Sequence, residues 1–210
     1  MIIVDVSFAL SGDKVPVDHA YLLYSALCHR IPGLHSSDRI SIHPIRGTPV
    51  GGRLLQLTRS SRLVFRLIEG TIDLASLVGS SLEIGGHPLK VGTARPITLR
   101  PAARLFSRLV VIKGGKDEST FLQSANRQLA DLGIRAGAAL VRKISPQSRE
   151  GKSSGNGSPF IRRTLRIKDK EIVGFAVMVE GLTADESIRL QENGLGGRGH
   201  FGCGVFVPAR

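Results

Sequence analysis

Three histidines lie close together near the start of the chain and could perform acid–base chemistry. His29, His35 and His43 fall within fifteen residues, with Arg39 among them and Arg46 just beyond. Histidine is the side chain whose unperturbed pKa, near 6.5, suits proton transfer at neutral pH. Neighbouring cations disfavour its charged form, so it could accept the proton of a ribose 2′-OH that attacks the adjacent phosphate. The alternative is that His29 is one position of an amphipathic helix and that the others are surface residues.

The sequence lacks the patterns of most other catalytic sites. Its 17 acidic residues are scattered and form no Asp-x-Asp cluster, so the paired carboxylates of a two-metal nuclease are missing. No Walker loop, zinc-ligand spacing or nucleophile elbow is present. Cys28 and Cys203 have neither metal-ligand nor disulfide spacing. We therefore expect no metal site and no cofactor, and any phosphodiester chemistry here would be metal-independent.

The charge of the chain indicates a polyanionic partner. It contains 29 Lys and Arg against 17 Asp and Glu, a formal net charge of +12. Aromatic residues are sparse, with eight Phe, two Tyr and no Trp, which argues against stacking on many unpaired bases. Phosphate contact is then the expected source of affinity.

Apolar stretches are too short to span a bilayer and the first residues lack a signal-peptide pattern, so we expect a cytoplasmic protein that does not contact membranes.

The end of the chain is rich in glycine. Residues 194–204 contain six glycines in eleven positions, and Arg198 and His200 are the basic side chains among them. Such a loop presents N–H groups either to an anion or to another stretch of backbone. Gly194-Leu-Gly-Gly-Arg-Gly199 formally fits a dinucleotide fingerprint, but it follows a predicted helix and precedes a strand, the reverse of the required order.

The elements that would position these residues follow a β-α-β-β-α-β order in the first half of the chain. Strands are predicted over 2–10, 39–43 and 82–91, and a hairpin is predicted from 52–58 and 62–68. A helix capped by Asp18 is predicted over 19–30, and a short helix over 71–78. This order is typical of a ferredoxin-like domain, which we assign to residues 1–97.

The second half, residues 98–210, can repeat that plan in degenerate form. Strands are predicted over 104–113, 138–144, 161–168 and 172–179, with a turn at 169–171 and a last strand at 205–207. Helices are predicted over 118–132 and over 184–192, the latter with a Thr183–Glu186 capping box and Gly194 as its C-cap. Residues 145–158 are polar and rich in Gly and Ser, which predicts a loop. The fold class is therefore α+β, with two ferredoxin-like (RRM-like) domains in tandem.

Two parts of the chain carry a family resemblance. Gly194-Leu-Gly196 and Gly202-Cys-Gly204 are similar to the C-terminal signature loop of Cas6, the family of CRISPR repeat-processing endoribonucleases. Residues 28–44 resemble the helix, turn and strand of its small Csy4 branch. The resemblance covers about two thirds of the chain and is strongest at 22–46 and 194–208. It implies two RAMP-type domains.

The resemblance also implies roles for individual residues. The catalytic histidine is His29, by a gapless match to the Csy4 branch, or His35, by the Leu-His pair of the broader family. Arg108, in Arg-Leu-Phe-Ser-Arg, matches a strand that reads guanine at the base of the hairpin stem. The RNA-binding helix of the branch is not matched, because only Arg127 is basic between 117 and 132. The predicted RNA-binding set is Arg39, Arg104, Arg108, Lys113, Lys116, Arg142, Lys143, Arg162, Arg163, Thr164, Arg166, Lys168, Arg198 and His200.

The function implied is metal-independent cleavage of precursor CRISPR RNA at the 3′ base of the repeat hairpin, with retention of the product. The implied partners are the repeat hairpin and other subunits of a CRISPR interference complex. The alternative is a non-catalytic RNA-binding subunit of such a complex. The basic strands could also be ordinary solvated sheet faces, but the charge of the chain favours phosphate contact. The histidine cluster favours the enzyme, and the lack of a clear Tyr or Lys partner favours the binding protein.

Overall fold

Two units make up the chain, and each contains an antiparallel sheet. A computed structural model describes residues 2–37, 39–115, 117–143 and 158–209. The first unit comprises Met1–Arg100, Leu165–Glu171 and Arg198–Cys203. The second comprises Pro101–Thr164, Ile172–Gly197 and Gly204–Arg210. The glycine-rich segment is thus divided, its middle residues lying in the first unit and its flanks in the second.

The first unit has the strand order of a ferredoxin-like fold. The elements are β1 (Ile3–Gly12), β2 (Lys14–Pro16), α1 (Ala20–Arg30), β3 (Ile40–Ile42), β4 (Thr48–Pro49), β5 (Leu54–Gln56), β6 (Arg62–Ile68), β7 (Ser81–Ile84) and β8 (His87–Thr98). The five-stranded sheet has the order β3-β6-β1-β8-β7, so the strand that opens the chain lies at the centre. The predicted helix α1 follows β1 and the short strand β2.

Alternation of side chains along the strands decides what each face of this sheet holds. In β1, Val4, Phe8 and Leu10 are buried, and Phe8 meets Phe65 of β6 edge to face at 5.9 Å between ring centroids. Leu23 and Leu27 of α1 are also buried in this core. Burial of such apolar surface is the main stabilising contribution to the unit.

Three local predictions for this unit are wrong. The 52–58 segment does not form a hairpin with β6, because β5 pairs with β2 and β4 in a separate three-stranded sheet. The short helix predicted over 71–78 is a single 3₁₀ turn, Ala75–Leu77, between Gly70 and Gly79 with positive φ. The N-cap residue of α1 is His19 and not Asp18. The Asp18 carboxylate pairs with Arg53 instead.

The second unit repeats the fold and keeps both helices. The elements are β9 (Arg104–Val110), α2 (Glu118–Asp131), β10 (Ala138–Leu140), β11 (Arg162–Ile167), β12 (Lys170–Glu180), α3 (Ala184–Asn193) and β13 (Val207–Pro208), of which the end of β11 and the start of β12 are grouped with the first unit. The sheet has the order β10-β12-β9-β13, the same permutation as in the first unit, and β11 also pairs with β12. The helix that is reduced to one turn is therefore in the first unit.

Local side-chain hydrogen bonds fix the ends of the helices. Asp117 accepts from the Thr120 N–H at 2.9 Å, and the capping box of Thr183 and Glu186 at α3 is confirmed. Gly194 ends α3 with a φ of 65°, also as predicted. The turn between β11 and β12 begins one residue earlier than expected, because Lys168 adopts a left-handed φ of 51°. Of the predicted 145–158 loop, all but Ser158 lies outside the described residues.

Candidate active site

The start of α1 is fixed by a histidine that sequence reasoning did not single out. His19 is buried, and its Nδ1–H donates to the Pro16 carbonyl at 2.8 Å. Its Nε2 accepts from the Ile45 N–H at 3.0 Å, so both ring nitrogens are used in the neutral form. His19 is thus a structural residue that joins the start of α1 to the segment after β3.

His29 lies on an exposed part of the last turn of α1 and has a defined tautomer. Its Nδ1 is 2.7 Å from the Ser25 carbonyl oxygen, one turn earlier. A carbonyl only accepts hydrogen bonds, so Nδ1 must donate its proton. In the neutral ring the lone pair is then on Nε2. A base with its lone pair held outward in this way can accept a proton from a ligand hydroxyl.

His35 is exposed on a short 3₁₀ turn, Leu34–Ser36, that follows α1. The turn begins after Gly33, whose φ of 78° reverses the chain beyond Pro32. Leu34 is fully buried in the core and anchors the turn, while His35 and the nearby Arg39 are exposed. Both predicted catalytic histidines therefore lie at the C-terminal end of α1, one in its last turn and one just beyond it.

His43 does not join these two histidines. Ile40 and Ile42 of β3 face the core, so alternation places the His43 side chain on the opposite face, where it is 12% exposed and 3.5 Å from Asp5 Oδ1. Burial, assisted by Arg66 and Arg46, lowers the pKa of His43 despite Asp5. Arg66 donates to both carboxylate oxygens of Asp5 at 2.7 and 2.9 Å. The prediction of a three-histidine cluster is wrong at this position.

The middle of the glycine-rich segment packs against the elements that hold His29 and His35. The Nε2–H of His200 donates to the Ser37 carbonyl at 2.8 Å, across 163 residues of sequence. The His200 ring lies 5.3 Å from that of Tyr24, and Phe201 lies 5.0 Å from Tyr24 and 6.3 Å from Tyr21. Both tyrosines of the chain are therefore on α1 at this contact, which the sequence analysis missed; their three-residue spacing on one helix was the available signal.

Two glycines of this segment lie where the chain closely approaches Ser41 and Pro44. A Cβ on Gly199 would lie 2.5 Å from Ser41 Oγ. A Cβ on Gly202 would lie 2.9 Å from Pro44 Cδ, and Gly202 also has a φ of 74°. Arg198, which precedes them, is exposed and has a φ of 70°.

Backbone N–H groups of the same loop are bonded to the chain itself. Gly197 donates to the Val111 carbonyl at 3.1 Å, Gly202 to Gly199 at 2.9 Å and Gly204 to Leu109 at 2.8 Å. Gly196 donates to the Gln128 side chain at 2.7 Å. The sequence predicts that the loop presents its N–H groups either to an anion or to another stretch of backbone. In the structure Gly197 and Gly204 bond to another stretch of backbone, and N–H groups bonded within the chain are not available to form an anion cradle.

Tyr24 is protonated over the whole neutral range. Burial and the neighbouring Cys28 thiol raise the pKa of Tyr24 to about 12. Its hydroxyl can therefore donate a hydrogen bond or a proton at neutral pH but does not act as a phenolate base.

Several of the predicted RNA-binding cations in the second unit have partners within it. Arg104 forms an exposed ion pair with Glu180 at 2.7 Å, and the Lys143 ammonium donates to the Ser158 carbonyl at 2.9 Å. The Arg142 and Arg162 guanidinium carbons lie 5.5 and 5.4 Å from the ring centroids of Phe160 and Phe175.

The remaining residues of the predicted RNA-binding set differ in exposure. Lys113 and Thr164 are exposed, whereas Arg108 and Arg163 are half-buried. The Nε atom of Arg163 is buried without a hydrogen bond. In the first unit Lys168 is exposed, and Arg166 pairs with Glu171 at 2.7 Å. Lys116 lies outside the described residues. Exposed ion pairs of this kind are weak, so their cations can exchange a carboxylate for a phosphate.

Metal-ligand clusters and membrane spans are both absent from the described ranges. Within them, no three His, Cys, Asp or Glu side chains are grouped so that they could hold a metal ion. No helix in this part of the chain is both long enough and apolar enough to cross a membrane.

Comparison with known proteins decides the family. Residues 4–210 match the family model described as Cas6 Crispr. A CRISPR-associated endonuclease Cas6 of Myxococcus xanthus (strain DK1622) is 38% identical over 208 residues, which are 99% of this chain and 82% of that protein. This chain belongs to the Cas6 family. Its assignment to the Csy4 branch stays a prediction.

Solved structures confirm the fold of this Cas6 family member. A CRISPR associated protein Cas6 aligns with a TM-score of 0.65 at 13% identity, covering 99% of this chain and 100% of that one. A second structure, described as an RAMP protein binding different RNA substrates, has a TM-score of 0.60 at 14% identity and covers 97% and 98% of the two chains. The predicted tandem ferredoxin-like RAMP fold is confirmed.

Proposed function

We propose that this Cas6 family member is a metal-independent endoribonuclease that cleaves precursor CRISPR RNA at the 3′ base of the repeat hairpin. The observation that carries the proposal is the exposed His29, whose Nδ1–H is held by the Ser25 carbonyl at 2.7 Å so that Nε2 can accept a proton. The Myxococcus xanthus relative, at 38% identity, is named an endonuclease.

The reaction is an in-line transesterification within the RNA strand. The histidine accepts the proton of the ribose 2′-OH while that oxygen attacks the adjacent phosphorus. The bond from phosphorus to the 5′-oxygen breaks, and the leaving oxygen takes up a proton from water, which is balanced by the proton that the histidine later returns to solvent. The products are a 2′,3′-cyclic phosphate and a 5′-hydroxyl. A protonated group such as Tyr24 or a cation such as Arg39 supports the charge that develops on the phosphate.

The same proposal assigns binding to exposed cations and not to backbone N–H groups. The first domain, 1–97, supplies the histidines, and the second, 98–210, supplies most of the basic strand residues. Affinity should follow counterion release and decrease steeply with salt. Multiple phosphate contacts would retain the product, and other subunits of an interference complex are the proposed recipients.

The test uses the full chain with a cognate repeat RNA in EDTA. We expect cleavage at one position, with a cyclic phosphate on the upstream product. A matched RNA with a single 2′-deoxy nucleotide before the scissile phosphate should bind equally and remain uncut, because it lacks the nucleophile. Dependence on a divalent metal, or cutting of the deoxy substrate, would refute the mechanism.

Single variants then decide between the two histidines. Removing a general base lowers rate by about 10²- to 10⁴-fold, so either His29→Ala or His35→Ala should show such a loss with little change in RNA affinity. His87→Ala, a histidine at the start of β8, is the matched control. If the double variant cuts at the wild-type rate, neither histidine is catalytic. If the wild type binds the repeat tightly and never cuts it, the alternative of a binding subunit is correct.

A further inference from the structure

The turn that presents His35 has weak support from its own backbone. It contains three residues, and its 3₁₀ hydrogen bonds run from Ser36 N–H to Gly33 at 3.0 Å and from Ser37 N–H to Leu34 at 3.4 Å. Short 3₁₀ turns with bonds of this geometry need tertiary contacts to hold one conformation. Leu34 supplies such a contact at one end, since it is fully buried.

The contact at the other end comes from the glycine-rich segment. His200 donates at 2.8 Å to the carbonyl of Ser37, the residue whose N–H closes the turn. Its ring is half-buried and lies against Tyr24. The chain on both sides of the ring packs closely, because a Cβ on Gly199 would lie 2.5 Å from Ser41 Oγ and one on Gly202 would lie 2.9 Å from Pro44 Cδ.

We infer that His200 is a positioning residue, which holds the turn that carries His35, one of the two candidate bases, in one conformation through the Ser37 carbonyl. The effect on cleavage rests on the proposed function with His35 as the base, whereas the positioning itself rests on the hydrogen bond alone. It replaces the predicted phosphate contact of His200.

The tautomer of His200 supports this role over direct contact with RNA. The partner atom on Ser37 is its carbonyl oxygen, which only accepts, so Nε2 of His200 carries the proton and, in the neutral ring, Nδ1 is an acceptor. A neutral His200 therefore has no second N–H for a phosphate oxygen, and only the protonated ring could donate to one through Nδ1. The donating nitrogen is already used, and a glutamine could supply the same donation without being able to titrate.

The experiment compares His200→Ala, His200→Gln and the control His87→Ala in the full chain. Single-turnover cleavage, RNA affinity and the pH–rate profile are measured for each. Misplacement of a catalytic group by about 1 Å lowers rate by up to about 100-fold. We therefore expect His200→Ala to lose about 10- to 100-fold in rate with unchanged affinity. His200→Gln should stay within about threefold of wild type, with the same limbs in its pH profile.

Hydrogen exchange of the amides of 34–37 gives a readout that needs no activity. His200→Ala should exchange faster there than wild type, and His200→Gln and His87→Ala should not. If the wild type fails to cleave repeat RNA, the proposed function fails while this measurement still tests the positioning.

Four results would overturn the inference. His200→Ala could cleave and exchange like wild type. His200→Gln could be as slow as His200→Ala and lose a limb of the pH profile, which would make His200 a proton-transfer group. Both variants could lose RNA affinity, which would make it an RNA contact. Exchange at 34–37 could remain unchanged while cleavage falls.

Discussion

Replacing Asp5 by asparagine tests whether the third histidine of the sequence cluster is structural. Asp5 is opposite Arg66 in the β1–β6 register and accepts two hydrogen bonds from it. Burial raises the pKa of Asp5, but the interactions with His43 and Arg66 outweigh it and lower the pKa from 3.8 to about 2. That difference corresponds to about 2.5 kcal/mol of folding free energy at pH 7.

The Asp5→Asn substitution should cost about 3 kcal/mol, because it also leaves the buried Arg66 guanidinium without this carboxylate. The measurement is urea unfolding of wild type, D5N and the exposed control D169N at pH 7. Hydrogen exchange in β1 and β6 locates the loss. Cleavage per folded molecule should be unchanged, since neither Asp5 nor His43 belongs to the proposed active site.

The stability that the Asp5 carboxylate contributes should decrease as the pH falls. A carboxylate whose folded pKa is lowered stabilises the protein above its unfolded pKa, and that stability is lost as pH falls from about 4 towards 2. Protonation of His43 also changes stability as the pH falls, so the comparison is between H43Q and the D5N/H43Q double variant, which both lack this histidine. The difference in unfolding free energy between these two should be constant from pH 7 to about 4.5 and shrink below about 4. A D5N chain as stable as wild type at pH 7, or a difference that does not change down to pH 3, would refute this reasoning.

Three further predictions concern the helix cap, the glycine loop and RNA binding. Thr183→Ala removes the capping box of α3 and should lower the unfolding free energy by about 1 kcal/mol in urea titrations. Gly202→Ala forces a Cβ to within 2.9 Å of Pro44 and should slow cleavage like His200→Ala, whereas Gly197→Ala, with nothing within 4 Å, should cleave normally. Lys168→Ala should reduce the slope of log affinity against log salt by about 1, measured by titration at several salt concentrations; an unchanged slope would exclude a phosphate contact there.

The order of elements could be predicted from the sequence because it depends on local periodicity. The β-α-β-β-α-β series of the second unit, α2 and the capping box at Thr183 are confirmed, and in the first unit only the second helix departs from the series, as a single 3₁₀ turn. The errors arise where partners come from distant sequence. β5 was expected to pair with β6, its neighbour, but pairs with β2 instead, and short apolar runs carry no information about register.

The site could be predicted less well than the fold, for the same reason. His29 and His35 were found from residue type and spacing, and the structure places both at the end of α1. His43 was included with them because distance in sequence does not show which face of β3 a residue occupies. Tyr24 and Ser37 were missed, because their importance depends on His200, 163 residues beyond Ser37.

The glycine-rich loop shows how a motif can suggest the wrong physical role. Its glycines predicted either an anion cradle or a close contact between stretches of chain, and the N–H groups of Gly196, Gly202 and Gly204 are bonded within the chain. Backbone groups already paired in this way add little to RNA affinity. The affinity must then come from cations such as Arg198 and Lys168, so Gly202→Ala should change rate and stability while leaving the salt slope intact. Measuring that slope for Gly202→Ala separates the two roles, since a loop that bound phosphate through its backbone would lose both affinity and slope.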